Sequence, residues 1–452
     1  MKQDVIIIGA GAAGLAAARD LSRAGLSVTV FEARDRIGGR IFTQHDPNSS
    51  LPVELGAEFI HGRSHETFSI IKEANLDFEE VTGRHWFVDD GKLSKSAEFW
   101  SAVEDLMSKM HDEVGDRSFE DFLGSLSDAE HSQRAKAMAK RFVEGFHAAA
   151  SERIGIHGLS AVDDATEQID GERTFRLRNG YDSMMNWLQH QIDANGGTIQ
   201  FNATVRKLNW QTKGVAVRLS SGATYHSTTA VITVPLSLLQ LDPSEEGAIS
   251  FNPNLPDWKR QAIHAVEMGS ALRIALHFTD RFWENLKLPG TNADDLSDLG
   301  FIHYPDAPLQ TWWTTLPEHE AILVGWAGGP AAMKLSHATE EQMAAAAIQS
   351  LSQIFGLSED DLRNRITKSY FHNWDADMYS RGGYAYLPVN GIEHQLNLAK
   401  PVDGTLFFAG EATSLGNIGT VHGAIQSGER AAREILTVLG IRSTSAEPNH
   451  RV

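Results

Sequence analysis

The sequence predicts an α/β protein built on a Rossmann-like nucleotide-binding domain, and three observations carry this prediction. Residues 4–8 read as a buried parallel strand, 12–24 as an Ala-rich helix and 27–32 as a second strand, which together form one βαβ unit. A glycine-rich turn joins the first strand to the helix. The chain has 452 residues, more than the roughly 250–300 at which a single core stops growing, so we expect two domains.

The later elements are predicted in order from periodicity. A helical insertion is expected over 65–150. Ser118 and Asp121 form a capping-box pattern within it, and apolar residues recur at three- and four-residue steps at Trp100, Val103, Met107, Met110 and Val114. From Thr198 onward short strands alternate with turn residues. The remaining segments are predicted as aromatic-rich strands over 271–326, an Ala-rich helix over 340–355, a strand in "GTLFFAGEA", a helix over about 420–438 and a polar tail over 441–452.

Charge and composition exclude several classes of function. The net charge is −19, which would repel nucleic acid and anionic membranes and therefore disfavours them as partners. It is compatible with a cationic substrate, and also with an acidic surface that keeps the protein soluble. The absence of cysteine excludes disulfides, a thiolate nucleophile, a cysteine metal site and a cofactor attached through sulfur. The histidines show no metal-ligand spacing, and no apolar run approaches the ~18 residues of a membrane span. We therefore expect a soluble, cytoplasmic protein without a metal.

The first motif is the GxGxxG of Gly9, Gly11 and Gly14. Gly9 permits the tight turn, Gly11 lets the backbone approach a pyrophosphate, and Gly14 lets the helix pack on the strand. Glu32 ends the second strand, where its carboxylate can accept the ribose hydroxyls and would repel a 2′-phosphate, so NADP is disfavoured. This unit by itself does not distinguish NAD from FAD.

The next residues, "EARDRIGGR", place Gly38, Gly39 and Arg40 just beyond Glu32. With these residues the chain resembles the flavin-containing amine oxidase family, which includes monoamine oxidases, polyamine oxidases and histone demethylases. The resemblance implies a glutathione reductase-type FAD-binding domain, in which the second glycine pair and its arginine line the pyrophosphate.

Three more stretches extend the resemblance across nearly the whole chain. "VELGAEFIHG" is similar to the segment that passes the flavin ring, "TVRKLNW" to the strand whose valine, here Val205, packs near the adenine, and "LFFAGEATSLGNIGTVHGAIQSGERAAREIL" to the C-terminal signature. In that signature Glu411 would hold the ribityl or phosphate region, and Thr420 and Val421 would open the final helix. The GxGxxG motif and the resemblance together imply a set of cofactor-binding residues. They are Gly9, Gly11, Ala13, Gly14, Glu32, Ala33, Gly38, Gly39, Arg40, Gly56, Ala57, Glu58, Phe59, Val205, Gly410, Glu411, Thr420 and Val421.

The resemblance also implies a discontinuous domain organisation. We expect the FAD-binding domain to comprise 1–80, 195–260 and 395–440. A discontinuous α+β substrate domain with the helical insertion would comprise 81–194 and 261–394.

The family's active-site landmarks predict four catalytic residues, Arg273, Tyr384, His61 and Trp374. Gly383 stands where many members carry a cofactor-tethering cysteine, so FAD should be bound noncovalently. Tyr384 stands at the first of two aromatic positions that face the flavin. Trp374 resembles the tryptophan beside the flavin ring, although a core tryptophan fits equally well.

Two positions depart from the family pattern. Residues 415–420 contain no aromatic where monoamine oxidases carry the second one, which predicts an incomplete aromatic cage. Arg273 replaces a lysine that holds water at flavin N5; it would favour a substrate with an acidic group if it faces the flavin, or it is turned outward to solvent.

Two polar residues in "VELGAEFIHG" have open roles. His61 is a substrate-contacting base or a hydrogen-bonded residue behind the substrate. Glu58 could pair with a cationic amine or be a solvated carboxylate at a strand end.

The resulting prediction is an FAD-dependent amine oxidase. In this family hydride passes from the carbon next to nitrogen to flavin N5, the imine is hydrolysed, and dioxygen reoxidises the flavin to give hydrogen peroxide. The predicted partners are a small-molecule amine and dioxygen, without nucleic acid or membrane, and a homodimer is left open. The alternatives are dehydrogenation of a nonamine, as in phytoene desaturases and protoporphyrinogen oxidases, and a flavoprotein scaffold without turnover.

Overall fold

The computed structural model describes residues 3–89, 92–95, 98–127, 131–286 and 296–441. Its largest sheet has eight strands, in spatial order Thr198–Gln200, Val28–Phe31, Gln3–Ile8, Thr224–Ile232, Gly214–Leu219, Val205–Gln211 and Ser250–Asn252, with Leu406–Phe408 beside the end of Thr224–Ile232. The strands around Gln3–Ile8 run parallel, and Ile8 lies beside both Phe31 and Ile232. Layers cover both faces of this region, which explains its continuous apolar runs. The predicted βαβ unit and fold class are confirmed.

Helices Ala12–Arg23 and Val421–Leu439 pack against each other beside the parallel strands. Helix Asp182–Ala194 joins the same core through the buried side chains of Met184, Met185, Leu188 and Ile192. The predicted boundaries assigned this helix to the substrate domain, whereas the structure packs it in the nucleotide-binding core. Periodicity shows that a helix has an apolar face but does not show which core the face meets.

A second, seven-stranded sheet carries most of the aromatic residues of the expected substrate region. In spatial order its strands are Ile366–Phe371, Ala271–Phe278, Ile322–Gly328, Thr311–Trp313, Leu299–His303, Arg84–Asp89 and Lys92–Ser94. Three smaller sheets pair Glu267–Met268 with Ala385–Tyr386, Thr43–Gln44 with Val53–Glu54, and Ile60–His61 and Phe78–Glu80 with Thr174–Leu177. The aromatic-rich strands predicted for 271–326 are confirmed.

The helical insertion differs in part from the prediction, because 78–94 contains the three strands given above rather than helix. Val114 is 98% exposed and so does not continue the buried stripe of Val103, Met107 and Met110. Ser118 caps the helix Phe119–Ser125 by accepting the Asp121 N–H at 3.1 Å, which is one half of the predicted capping box, and its hydroxyl donates to the Asp121 carboxylate at 2.8 Å. The side chain of Trp100 and residues 442–452 of the tail lie outside the described residues.

The remaining helices surround the two large sheets. They are His65–Ala74, Glu98–Ser108, Gln133–Phe146, Ile156–Gln168, Leu236–Leu239, Asp257–Ala265, Gly329–Met333, Glu340–Phe355, Glu359–Arg365 and Gly391–Ala399, with 3-10 turns Lys109–Asp112, Phe282–Asn285 and Glu411–Thr413. None of the helices within the described ranges combines the length with the hydropathy that a bilayer crossing requires.

Candidate active site

A cavity of about 1390 Å³ runs from the glycine-rich turn to the seven-stranded sheet. All predicted site residues line it except Gly14. Its volume exceeds the roughly 300–1,000 Å³ of ordinary small-molecule sites, so it has room for a large cofactor and a substrate together.

The glycine-rich turn forms a cradle at one end of the cavity. Gly9 has φ +107°, and a Cβ at Gly14 would lie 2.0 Å from the Gly9 carbonyl oxygen, so Gly14 allows the predicted packing of helix on strand. Gly38 donates its N–H to the Ala10 carbonyl at 2.8 Å, which brings the second glycine pair onto the turn. The helix begins after Gly11 without a side-chain cap, as an anion site at a helix N-terminus requires. These residues fit a dinucleotide pyrophosphate.

Glu32 is buried beside the turn, with 4% of its surface exposed. Its carboxylate accepts the N–H of Ala10 at 2.8 Å and the N–H of Arg34 at 2.9 Å. Each oxygen keeps a second lone pair, so ribose hydroxyls can still be accepted there. Glu32 therefore also holds the turn together, a role that the motif did not indicate.

Arg40 and Glu411 form an ion pair at 2.8 Å. Arg40 also donates to the Gly383 carbonyl at 2.7 Å, and Glu411 accepts the Gly419 N–H at 3.0 Å. The resemblance gave the two side chains separate contacts with the cofactor. The structure shows in addition that Glu411 orients Arg40 at the cavity wall.

The predicted helix start at Thr420 is confirmed by its capping geometry. Thr420 is the N-cap of Val421–Leu439, and its hydroxyl accepts the Gly423 N–H at 3.0 Å. Thr420 therefore lines the cavity as the cap of a helix N-terminus, and it provides no aromatic ring there.

In addition to the predicted residues such as Val205, the cavity is lined by residues that no sequence motif indicated. Arg34 pairs with Asp377 at 2.5 Å, and its guanidinium lies over the Tyr379 ring at 5.3 Å. The partners are 343 positions apart, so no local spacing connected them. The only signal was the position of Arg34 two residues after Glu32.

Arg273 is buried, and the prediction that it could be turned outward to solvent is wrong. Its guanidinium donates to the Gly56 carbonyl at 2.9 Å and to Glu58 at 2.7 Å. Its charge is thus paired with a carboxylate inside the protein. The expectation that it attracts a substrate with an acidic group is not supported by this geometry.

Glu58 is shared by two arginines, since it also accepts from Arg176 at 2.7 Å. The Trp313 indole N–H lies 3.1 Å from the same carboxylate. Burial by itself would raise the pKa of Glu58, but the charges and hydrogen bonds of Arg176 and Arg273 outweigh it and lower that pKa. Glu58 is therefore neither a solvated carboxylate nor free to pair with an amine.

Tyr384 and Trp326 form two aromatic walls of the cavity. Their ring centroids lie 6.5 Å apart with an interplanar angle of 14°. Residues 415–420 contain no aromatic, as the sequence shows, and Trp326 contributes a second ring to the cavity from the seven-stranded sheet. Trp313 lies 6.3 Å from Trp326 and continues the wall.

Trp374 is a buried core residue that also borders the cavity. It is 5% exposed and donates its indole N–H to the Leu55 carbonyl at 2.8 Å. It also lines the cavity, where a Cβ at Gly56 would lie 3.2 Å from its ring.

His61 lies in an aromatic environment, 6.1 Å from the Phe59 ring and 5.7 Å from the Phe146 ring. Burial lowers the pKa of His61 to about 4. The imidazole is therefore neutral near pH 7 and a weaker base than the sequence suggested. Over the described ranges its ring has no hydrogen-bond partner in the protein.

The same ranges contain no group of three or more His, Asp or Glu side chains arranged as a metal site.

Comparison with known proteins agrees with this geometry. The polyamine oxidase 2 of Arabidopsis thaliana is 29% identical over 95% of this chain and 87% of its own length, and polyamine oxidase 3 of Oryza sativa subsp. japonica is 30% identical over 95% and 88%. Putrescine oxidase, solved with putrescine bound, shares the fold with a TM-score of 0.80 at 21% identity, covering 97% of this chain and 99% of its own. Cyclohexylamine oxidase from Brevibacterium oxydans does so with a TM-score of 0.78 at 20% identity, covering 97% and 100%.

The family profile described as flavin containing amine oxidoreductase matches residues 12–436, which include Gly14, the second glycine pair, the buried Glu58–Arg273 pair and most of the final helix. The chain therefore belongs to the flavin-containing amine oxidoreductase family.

Proposed function

We propose that this enzyme oxidises an aliphatic diamine or polyamine at the carbon next to an uncharged nitrogen, and that dioxygen takes up the electrons as hydrogen peroxide. The observation that carries the choice of substrate is a group of carboxylates on the cavity wall, here called the acidic mouth: Glu104, Asp163, Glu167, Asp170 and Glu172. The relatives named as polyamine oxidases support the same class.

The acidic mouth carries uncompensated negative charge. Glu104, Glu167 and Glu172 are exposed, and within the described part of the chain none of them has an ion-pair partner. Asp163 lies 3.2 Å from His111, and Asp170 lies 3.5 Å from Arg173. Together with the net charge of −19, this rim attracts a polycation and raises its encounter rate.

The inner part of the cavity suits an amine that has lost its proton. FAD, when bound along the glycine cradle, accepts the two electrons of the C–N oxidation. The chain's own residues supply apolar aromatic walls at Tyr384 and Trp326, a neutral imidazole at His61, and an Arg273 guanidinium that is ion-paired with Glu58. These walls exclude water and hold the carbon chain.

The test is peroxide release over a panel of putrescine, spermidine, spermine, benzylamine and cyclohexylamine. We expect the highest kcat/KM for a diamine or polyamine, falling with ionic strength. The double variant Glu167→Gln, Glu172→Gln should lower kcat/KM for spermidine about tenfold, since two attractive charges are lost. The charge-matched control Glu341→Gln, Asp360→Asn changes two carboxylates that do not line the cavity and should leave it unchanged.

Two outcomes would contradict the proposal. A preference for cyclohexylamine or benzylamine that does not depend on salt would exclude the polycation. Reduced flavin that dioxygen does not reoxidise in a stopped-flow experiment would exclude the oxidase step, and flavin that no amine reduces would favour the nonamine or scaffold alternatives.

A further inference from the structure

The last residue of helix Gln133–Phe146 projects a large apolar surface into the cavity. Phe146 is 49% exposed although it lines the cavity. Its ring lies 5.7 Å from the His61 ring and stacks on Phe142 at 5.5 Å with an interplanar angle of 16°. An aromatic ring that is half uncovered inside a cavity is a surface that a bound apolar group can cover.

The backbone that carries this ring is fixed by the two aromatic walls. The Tyr384 hydroxyl donates to the Phe146 carbonyl at 2.6 Å, and the Trp326 indole N–H donates to the Gly145 carbonyl at 3.3 Å. A Cβ at Gly328 would lie 2.1 Å from the Gly145 carbonyl oxygen, so the helix end is docked directly on the strand that contains Trp326. The helix end therefore cannot retreat without breaking both hydrogen bonds and this close backbone packing.

Phe142 supports the ring from one helical turn earlier, because side chains four residues apart share one face of a helix. The Phe146 ring thus contacts the His61 ring edge-to-face and the Phe142 ring in a stacked arrangement. The cavity extends along both neighbours, since His61 and Phe142 both line it. The ring and both of its neighbours therefore form one apolar stretch of the cavity wall.

We propose that Phe146 sets the width of the amine that reaches Tyr384 and Trp326. An unbranched carbon chain lies along the ring, whereas a cyclic carbon skeleton of the same size collides with it. This inference rests on the proposed function, because it assigns a specificity-determining residue to the same amine-oxidising site.

The experiment compares 1,6-diaminohexane with trans-1,4-diaminocyclohexane, which have equal numbers of carbon and nitrogen atoms and differ in width. In Phe146→Ala the ratio of kcat/KM for the cyclic over the linear diamine should rise about tenfold or more, a size consistent with steric discrimination in apolar pockets. Phe146→Leu should give an intermediate rise. Flavin content and the flavin absorption spectrum report that each variant is folded.

The matched control is Phe78→Ala. Phe78 is 38% exposed and packs edge-on against Phe68 at 5.4 Å and Phe175 at 5.8 Å, but it does not line the cavity. Its removal should leave the ratio unchanged. A ratio that stays within twofold of the wild type in both Phe146 variants, or that rises equally in Phe78→Ala, overturns the inference.

Failure of the proposed function has a different signature, namely that the wild-type enzyme oxidises neither diamine. In that case n-hexylamine and cyclohexylamine provide the same comparison of width without the second nitrogen. The ratio for these monoamines then supports or overturns the role of Phe146 by the same criteria.

Discussion

Replacing Glu58 with glutamine tests the least expected feature of the site, the carboxylate that two buried arginines share. The side chains of Glu58, Arg273 and Arg176 are 10%, 4% and 11% exposed, and each guanidinium approaches the carboxylate to 2.7 Å. Glu58→Gln keeps the shape of the side chain and removes its charge. The two guanidiniums would then lie buried without their common counter-ion.

The magnitude follows from this geometry. Two unit charges about 4 Å apart interact by about 4 kcal/mol at an effective dielectric constant of about 20. Part of this gain is offset in the wild type by the desolvation of the carboxylate, a cost that glutamine reduces. Removing one partner of a buried ion pair typically destabilises by about 3–5 kcal/mol, and we expect Glu58→Gln to lower the free energy of unfolding by this amount.

The assay is urea unfolding of the FAD-loaded protein at pH 7, followed by far-UV circular dichroism and by flavin fluorescence. Glu80→Gln is the matched control, because Glu80 pairs with Arg173 on the surface, where solvent screens the charges. We expect a much smaller change there. In the double variant Glu58→Gln, Arg273→Met the loss should be smaller than the sum of the two single losses, since one uncompensated charge is removed.

The reasoning is refuted if Glu58→Gln lowers the free energy of unfolding by less than about 1 kcal/mol, which is the range of surface ion pairs. It is also refuted if the two single losses add in the double variant, because additivity would mean that the two side chains do not interact.

Three further predictions follow from the site. Acid precipitation should leave all flavin in the supernatant, because the chain has no cysteine and Gly383 stands at the tether position; flavin in the pellet would contradict noncovalent binding. Glu32→Gln should reduce FAD occupancy after dialysis, since a charged hydrogen bond contributes roughly 1.5–3 kcal/mol, and full occupancy would remove Glu32 from the cofactor site. Burial lowers the pKa of His61, His147 and His422 to about 4, so the unfolded chain binds their protons more readily and the stability of the apoprotein should be lost as the pH falls from about 6.5 towards 4. Urea unfolding at a series of pH values measures this loss, and a flat profile over that window would show that these histidines are solvated.

Several features of this protein depend on residues that are close together in the chain, and these features could be predicted from the sequence. The strand Gln3–Ile8, the glycine turn and the helix Ala12–Arg23 are contiguous, so apolar runs and glycine positions predicted both the fold class and the nucleotide cradle. The helix Glu340–Phe355 and the cap at Thr420 likewise depend on residues within a few positions of one another. These features are set by backbone conformation and short-range hydrogen bonds, which the sequence encodes directly.

Pairing between distant side chains was decided only by the tertiary structure. From the sequence, Arg273 was predicted to face either the flavin or the solvent. The fold instead places its guanidinium against Glu58, which lies 215 positions earlier in the chain. Trp326 became the second aromatic wall only because its strand lies beside Tyr384. Whether a buried charge attracts a ligand depends on its neighbours, since a counter-ion at 2.7 Å largely compensates its field. Periodicity indicates which residues are buried, but the chain topology determines which partner each of them meets.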